Sequence, residues 1–263
     1  MGTQHTHGFT IIETMLVLAI TGLLVGGIFV GVGTQIGVQR YRDAVETFKT
    51  VVQNQFNDLA SIQNDRTDTW ECSDQGVTSQ TGSTVRGQSD CVLVGKILTV
   101  EGGAIQTAAI VARQSAVFDP DLNDVESLRE NYFLNVSSDT VSNSVLEWGT
   151  QIAWPVSGDG SESPTTPRSF TLLVLRSPDS GQVYSFSANT VPTSLTPESL
   201  RSLVVAGAGT SGGQQEQILC IDSNDISVVS DYSIIIAPLA TVPNAVEVST
   251  NALKELEERN TRC

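Results

Sequence analysis

The sequence predicts an α+β fold in which a long N-terminal helix, membrane-spanning in its first half, packs on an antiparallel β-sheet domain. The first observation is an apolar run of 24 residues, Met15–Val38, in a stretch without charged side chains. At about 1.5 Å per residue, this run is long enough to cross a bilayer as one helix. The second is an apolar stripe that continues at helical spacing to residue 62. The third is a series of short β-branched runs between turn-rich segments after residue 65.

Residues 1–38 have three possible interpretations. A secretory signal peptide has a basic start and about 7–15 apolar residues, whereas this chain begins MGTQHTHG and its apolar run is longer. A plain signal anchor fits the length but leaves Glu13 unexplained. An ionisable side chain at the edge of a hydrophobic run is costly and usually has a partner or a task. The third interpretation therefore starts from the residues around this glutamate.

Residues 8–13 read GFTIIE and lead directly into the uncharged apolar run. This arrangement resembles the prepilin signature of type IV pilins and type II secretion pseudopilins. The resemblance implies that a prepilin peptidase cuts after Gly8 and methylates the new N-terminal amine of Phe9. It also implies that Glu13 is the family's glutamate at the fifth position of the mature chain.

The resemblance gives Glu13 a role in assembly. A carboxylate in hydrocarbon is tolerable only when it is neutralised or paired. In the family this glutamate is thought to meet the N-terminal amine of a neighbouring subunit, so Glu13 would pair with Phe9 of the adjacent copy. The alternative is a side chain that reaches the cytoplasmic interface and has no specific partner.

Charge does not set the orientation of the span. Arg40, Arg42 and Lys49 follow the apolar run and no Lys or Arg precedes it, opposite to the positive-inside pattern. A cytoplasmic N-terminus is thus implied by the resemblance alone. Small residues four apart permit close approach of neighbouring helices, and three such pairs occur: Gly22 and Gly26, Gly27 and Gly31, Gly33 and Gly37.

The helix is expected to continue beyond the apolar run. Because no proline or glycine occurs from Val38 to Asn64, we predict one helix from Phe9 to Asn64, about 80 Å long. Its second half is amphipathic, and the resemblance implies that this half is laid against a sheet; a coiled-coil stalk is the alternative. The chain then divides into a leader, residues 1–8, a transmembrane and assembly helix, 9–38, its amphipathic continuation, 39–64, and an extracytoplasmic β-rich domain, 65–263.

Four cysteines, all after the membrane segment, predict disulfides in an oxidising compartment. None forms a C-x-x-C motif. Of three possible pairings we favour the neighbours in sequence, Cys72 with Cys91 and Cys220 with Cys263, which close loops of 20 and 44 residues. In the chain-entropy model each bond stabilises the fold by about 3–4 kcal/mol. Reduced, buried thiols are the alternative.

The domain is expected to contain mainly strands and turns. Residues 65–92 resemble the variable loop that joins helix and sheet in pilins. Composition and spacing predict strands at residues 91–103 and 104–112, hairpins at 169–188 and 217–238, a short helix at 197–206 capped by Thr196, a C-terminal helix near Thr250–Arg259, and exposed loops at 149–167, which contains Trp154, and 206–215.

One segment resembles a calcium loop. Asp119, Asp121, Asn123 and Glu130 occupy the first, third, fifth and twelfth positions of an EF-type loop. However, Asp124 stands where the loop needs glycine, and no flanking helix pair is evident. Capping of a short helix by Asp119 or Asp121 explains the same residues. We therefore predict no cofactor, with calcium as the alternative.

Charge and histidine content narrow the function. The net charge of −15 divides into −1 over residues 1–64 and −14 over residues 65–263, so an acidic domain disfavours broad nucleic-acid binding. The two histidines, His5 and His7, both precede the span. The remainder therefore lacks imidazole for general base catalysis, for nucleophile activation and for common zinc sites. We predict no enzyme.

The resemblance implies a structural subunit of a type IV pilus. A domain of about 200 residues is larger than a typical major pilin's, which favours a minor pilin. Expected partners are other pilin subunits, the prepilin peptidase and the inner-membrane assembly platform. Expected locations are the membrane, as a single-pass precursor, and then a cell-surface filament. The alternatives are a minor pseudopilin of a type II secretion system and an adhesin-like binding module at a pilus tip.

Overall fold

The computed structural model describes residues 10–60, 70–73, 76–79, 91–157, 167–204, 216–223, 232–250 and 261–263. The helices are α1 (Ile11–Ala60), α2 (Asp124–Glu130) and α3 (Pro197–Leu203), with single 3-10 turns at Ser138–Thr140, Glu147–Gly149 and Pro243–Ala245. The strands are β1 (Trp70–Ser73), β2 (Gly76–Ser79), β3 (Val92–Glu101), β4 (Ala104–Gln114), β5 (Tyr132–Val136), β6 (Ser142–Val145), β7 (Gln151–Ala153), β8 (Val156–Ser157), β9 (Ser169–Arg176), β10 (Val183–Ala188), β11 (Gln217–Asp222), β12 (Tyr232–Ile236), β13 (Val246–Thr250) and β14 (Thr261–Arg262).

The long helix α1 passes from an exposed first half, Ile11–Ile36, to a second half, residues 37–60, that packs on the rest of the chain. We call residues 70–263 the head. The predicted ends of this helix, Phe9 and residues 61–64, lie outside the described residues. The predicted amphipathic stripe is the face that packs on the head, and its fully buried members are Tyr41, Ala44, Val45, Phe48, Val52, Phe56 and Leu59.

An antiparallel six-stranded sheet forms the centre of the head. Its order is β10-β9-β3-β4-β5, and β6 pairs with β4. The strand β9 is continuously buried from Phe170 to Leu175, because both faces of the sheet are covered. Alternate residues such as Leu172 and Val174 face α1, whereas Leu173 and Leu175 pack with α2 and α3.

A second antiparallel sheet completes the core around α1. Its order is β13-β12-β11-β7. Apolar residues from its strands, including Leu219, Ile221, Ile234 and Ile236, join the same cluster as Phe48 and Leu172. The second half of α1 is therefore packed by two sheets. The predicted α+β class, with a helix spine on an antiparallel sheet domain, is confirmed.

The head contains two disulfides. Cys72 is bonded to Cys91 and Cys220 to Cys263, the two pairs that are closest in sequence. The first bond packs with Val111 beside the β1–β2 hairpin. The second ties the chain's last residue to a buried strand of the four-stranded sheet.

Most predicted elements are present, and three expectations need correction. The hairpins β9–β10 and β11–β12 form, and Thr196 caps α3 by accepting the Ser199 N–H. The predicted loop at 149–167 is wrong at its start, because residues 151–153 are strand β7 with Ile152 and Ala153 fully buried. The predicted loop at 65–92 contains the β1–β2 hairpin. Thr250, predicted to begin the C-terminal helix, instead ends β13. Residues 206–215 and 251–260, for which a loop and the rest of that helix were predicted, lie outside the described residues.

Candidate functional site

The first half of α1 is exposed at every position whose burial the structure describes. Its large apolar side chains are between 42% and 78% exposed. Within the described part of the chain, α1 is the helix that is long and apolar enough to cross a membrane, with a mean hydropathy of 2.5 over its most apolar window. None of that window is buried in the chain itself. The exposed residues are Ile11, Ile12, Met15, Leu16, Val17, Leu18, Ile20, Leu23, Leu24, Val25, Ile28, Phe29, Val32 and Ile36.

Glu13 lies in the first turn of this helix. Thr10 acts as the N-cap, because its Oγ1 accepts the Glu13 N–H at 3.3 Å and its carbonyl accepts the Thr14 N–H at 3.1 Å. A carboxylate in the first turn is favoured by the helix dipole. The structure thus puts an exposed carboxylate at the very start of the apolar helix. Gly8 and Phe9 lie outside the described residues.

Glycines leave open space along the exposed half. A Cβ atom built at Gly22, Gly26, Gly27, Gly31 or Gly33 would meet nothing within 4 Å. A side chain at these positions would therefore clash with nothing among the described residues. Such positions let another helix approach closely, as the small-residue pattern predicts.

A buried tyrosine joins the second half of α1 to the four-stranded sheet. The Tyr41 hydroxyl donates to the carbonyl of Ile221 at 2.6 Å and accepts the N–H of Tyr232 at 3.0 Å. Arg42 Nε donates to the Tyr232 hydroxyl at 2.9 Å. Because Ile221 and Tyr232 form the last register pair of β11 and β12, the helix supplies a hydrogen-bond bridge at the end of this hairpin.

Two further contacts attach α1 to the head closer to the C-terminal end of the helix. Gln53 Nε2 donates to the carbonyls of Pro243 and Val246, both at 3.2 Å. Near the C-terminal end of the helix, Asp58 pairs with Lys96 of β3 at 3.2 Å. The exposed half is therefore held at a defined angle to the head by contacts along the whole second half.

A comparison with known families bears on the N-terminal part of this arrangement. A family model for the prokaryotic N-terminal methylation motif matches residues 4–29. The chain carries a prepilin-type N-terminus. The match supports recognition of this segment as the N-terminal motif of type IV pilins and pseudopilins, a family of structural rather than enzymatic proteins. No curated protein and no solved structure is significantly similar to the chain.

For a pilin-type chain, the matched segment and the geometry coincide. The motif runs from the leader to Phe29, so it covers Glu13 and most of the exposed half of α1. The apolar helix fits a membrane-anchored precursor that later enters a filament. In such a protein, assembly with other pilin subunits and processing by a prepilin peptidase are implied by the motif.

The four residues of the calcium candidate have other partners in the structure. Asp119 Oδ1 accepts the Asp121 N–H at 3.0 Å, and Asn123 Oδ1 accepts the Glu126 N–H at 3.0 Å. Glu130 lies in α2 and pairs with Arg201 of α3. Among the described residues, no group of three His, Cys, Asp or Glu side chains is placed to hold a metal ion. The expected cap was wrong, because Asn123 caps α2 rather than either aspartate.

The sequence did not point to Arg168, which is buried between the two sheets. Its guanidinium donates to the carbonyl of Ile218 at 2.5 Å and to the side-chain oxygens of Asn189 at 2.8 Å and Gln217 at 3.1 Å. It also lies 4.3 Å from the ring centre of Trp154. Burial lowers the pKa of Arg168 to about 10. These contacts make it a structural link between sheets.

A hydroxyl–carboxylate network joins α2 to the turn between β9 and β10. Asp124 accepts hydrogen bonds from Ser177, Ser180 and Tyr184. Burial, the largest influence, raises the pKa of Asp124, but these hydrogen bonds together outweigh it and lower the pKa. Burial, then the adjacent carboxylate, raises the pKa of Tyr184 to about 12. The network is internally satisfied and fastens α2 to the sheet.

Proposed function

We propose that this chain is a minor pilin, a structural subunit of a type IV pilus. The observation that carries the proposal is the methylation motif at residues 4–29, which leads into a helix whose apolar first half stays exposed among the described residues. An apolar first half that packs against no described part of the chain needs lipid first and neighbouring helices later. The same surface can serve both because the two environments are equally apolar.

In this proposal the leader is removed after Gly8 and Phe9 becomes the methylated N-terminus. The new amine would lie one helical turn from Glu13 of its own chain and within reach of Glu13 of an adjacent subunit. Pairing between subunits removes the cost of leaving a carboxylate in an apolar surrounding. Glu13 thereby sets the depth at which each subunit docks.

The orientation proposed is a cytoplasmic N-terminus with the head outside the inner membrane. Both disulfides lie in the head, and disulfides persist in oxidising compartments. The leader at the other end would then be in contact with the prepilin peptidase and the assembly platform. The head would be the part that the finished filament displays.

Intact mass of the protein extracted from membranes tests the processing step. The expected species begins at a methylated Phe9, and a Gly8→Asp variant is expected to keep its leader. A mature chain that begins at another residue would rule out the proposed site. As a control for the effect of a substitution in the leader, Thr6→Ser is expected to be processed like the wild type.

A pair of glutamate variants tests the assembly step. Glu13→Gln is expected to be processed normally but to be lost from sheared filaments, because the amide cannot pair with an ammonium ion as strongly as a carboxylate. Glu46→Gln is the matched control, since Glu46 is an exposed glutamate in the second half of α1. Equal incorporation of both variants would contradict a docking role for Glu13.

The alternative assignment is a minor pseudopilin of a type II secretion system. The helix geometry supports both assignments equally, and the head of about 200 residues supports a minor subunit in either system. Deletion of the gene discriminates between them. Loss of surface filaments favours the pilus, whereas loss of secreted proteins with filaments intact favours the secretion system.

A binding role at a pilus tip is a second candidate, favoured by a cleft between α2 and α3. The cleft has a volume of about 340 Å³ and contains two arginines, two glutamates and exposed aromatic surface. A Glu130→Ala variant removes the ion pair to Arg201 that crosses it. Reduced attachment with a normal number of filaments would support this role. The lining residues are Arg129, Glu130, Tyr132, Phe133, Leu134, Thr196, Pro197, Glu198 and Arg201.

A further inference from the structure

Trp148 combines two unusual properties. Its backbone is left-handed, with φ 58° and ψ 23°, inside the 3-10 turn Glu147–Gly149. Bulky residues rarely adopt this conformation, and it persists only where the surroundings enforce it. The residue is nevertheless 51% exposed. The fold thus holds a large amphipathic ring at the surface at a conformational cost, which burial of the ring does not explain.

The position of this ring relative to α1 is defined by a charged neighbour. The guanidinium carbon of Arg40 lies 4.5 Å from the centre of the Trp148 ring, a cation–π contact. Arg40 is two residues beyond Val38, where the apolar run ends. Although Trp148 is more than 100 residues later in the sequence, it lies at the level where the helix leaves the apolar region.

The length of the apolar run gives the depth of this level in a bilayer. Met15–Val38 is about 36 Å long as a helix, slightly more than a hydrocarbon core of about 30 Å. Its C-terminal end therefore lies at the headgroup layer when the run is embedded. Tryptophan is enriched at this depth because its ring is apolar and its N–H is a donor. Arginine at the same depth can bind lipid phosphate.

We propose that Trp148 and Arg40 form a lipid-binding anchor, which holds the head against the outer headgroup layer of the membrane that contains the precursor. The inference rests on the proposed function, because it needs α1 to span that membrane. The anchor would fix the rotation and depth of the head before the subunit is withdrawn into a filament.

The surrounding charge selects the kind of lipid. Glu147 next to the ring is exposed, and the chain from residue 65 onward carries a net charge of −14. A surface of this charge is repelled by anionic lipids. The ligand is therefore the phosphate and glycerol region of a zwitterionic phospholipid, contacted by one guanidinium and one indole N–H.

Fluorescence of the full-length chain in vesicles tests this anchor. The variant Trp70→Phe with Trp154→Phe keeps Trp148 as the single tryptophan, and is reconstituted into zwitterionic phosphatidylcholine vesicles. We expect Trp148 in the vesicles to emit at a shorter wavelength than Trp148 of the same chain unfolded in buffer without detergent. We also expect stronger quenching by lipids brominated near the headgroup than by lipids brominated at the chain ends.

The matched control is the variant Trp70→Phe with Trp148→Phe, which keeps Trp154. Trp154 is only partly exposed and lies over the buried Arg168, so brominated lipids should quench it much less than Trp148. Adding Arg40→Ala to the Trp148 reporter should reduce shallow quenching while the chain stays in the membrane pellet. Equal thermal melting of the reporters verifies that the head is folded.

Three results would overturn the anchor. They are a Trp148 signal that brominated lipids do not quench, a signal quenched only when anionic lipid is added, and quenching that Arg40→Ala leaves unchanged. In each case retention of the chain after carbonate washing separates the two proposals. If the chain is retained, only the anchor proposal is contradicted. If the chain is lost from the membrane, the proposed function is contradicted as well.

Discussion

The two halves of α1 are one continuous helix with opposite surroundings. In the first half, Phe29 is 73% exposed, whereas in the second half Phe48 is fully buried between two sheets. In the first half, Thr14 and Thr21 donate their hydroxyls to the backbone of the same helix, Thr21 to Val17 at 2.7 Å. The second half bonds to strand residues 180 and 191 positions away in the sequence. The second half of the helix therefore stabilises the head, whereas the first half remains available to bind partners.

This difference separates folding from assembly along one element. Changes in the second half are expected to alter the free energy of unfolding of the head. Changes in the first half are expected to leave that quantity unaltered and to act on membrane residence and filament formation. Four paired substitutions or titrations test this separation, beginning with the largest expected effect.

Truncation of one phenylalanine in each half gives the largest contrast. Phe48→Ala should lower the free energy of unfolding of the head by about 3–5 kcal/mol, because it removes a fully buried ring and leaves a cavity. Phe29→Ala should leave it unchanged. Denaturant titration of the two purified variants in detergent measures both. Equal destabilisation would break the proposed division of the helix.

A methyl group added to a glycine gives the next largest contrast. In Gly95→Ala of β3, the new Cβ would overlap the carbonyl oxygen of Val174 and lie 2.5 Å from Cδ2 of Leu175. We expect destabilisation by about 1–3 kcal/mol or more. Gly26→Ala meets nothing within 4 Å, and should keep the melting temperature of the head while reducing incorporation into filaments.

Both glycine variants are to be melted in the same detergent. A Gly95→Ala head that melts like the wild type would mean that the sheet relaxes around the methyl group. A Gly26→Ala protein that enters filaments normally would remove the packing role of that glycine.

Removal of one hydroxyl from each half gives a smaller contrast. Tyr41→Phe leaves the carbonyl of Ile221 and the N–H of Tyr232 without this partner, at an expected cost of about 1–3 kcal/mol. Thr21→Val removes a bond within the helix surface and should not change melting of the head. Chemical denaturation of the two variants gives the comparison, and a neutral Tyr41→Phe would show that water replaces the hydroxyl.

The smallest effect is a pH dependence confined to the head. Burial, then hydrogen bonding and charge from Asp179 and Asp124, raises the pKa of Tyr132 and Tyr184 to about 12. Their ordinary pKa is about 10. Because the folded state holds these protons more tightly, their contribution is complete below pH 10 and is lost as pH rises toward 12. The melting temperature should fall over this window.

The double variant Tyr132→Phe with Tyr184→Phe should flatten that alkaline decline. At the acid end, the lowered pKa of Asp124 contributes stability above about pH 4, and this contribution disappears as the pH falls through the folded pKa. All four tyrosines lie after residue 40, so none is in the first half. An alkaline decline that survives the double variant would assign it to other groups.

The sequence by itself determined the features that depend on local pattern. The run from Met15 to Val38 and the stripe after it predicted one helix with two surroundings, since burial follows periodicity. The GFTIIE segment was sufficient for the family resemblance, and the motif match at residues 4–29 agrees with it. Hairpins with turn residues at their centres were also found, because turn chemistry is local.

Tertiary structure alone decided the contacts between residues far apart in sequence. No local pattern shows that Tyr41 bridges Ile221 and Tyr232, or that Arg168 links two sheets. Strand β7 was missed because it has only three residues, and its burial comes from β11 rather than from its own pattern. The Arg40–Trp148 pair arises in the same way, because packing, not spacing along the chain, decides which surface residues share one level of the molecule.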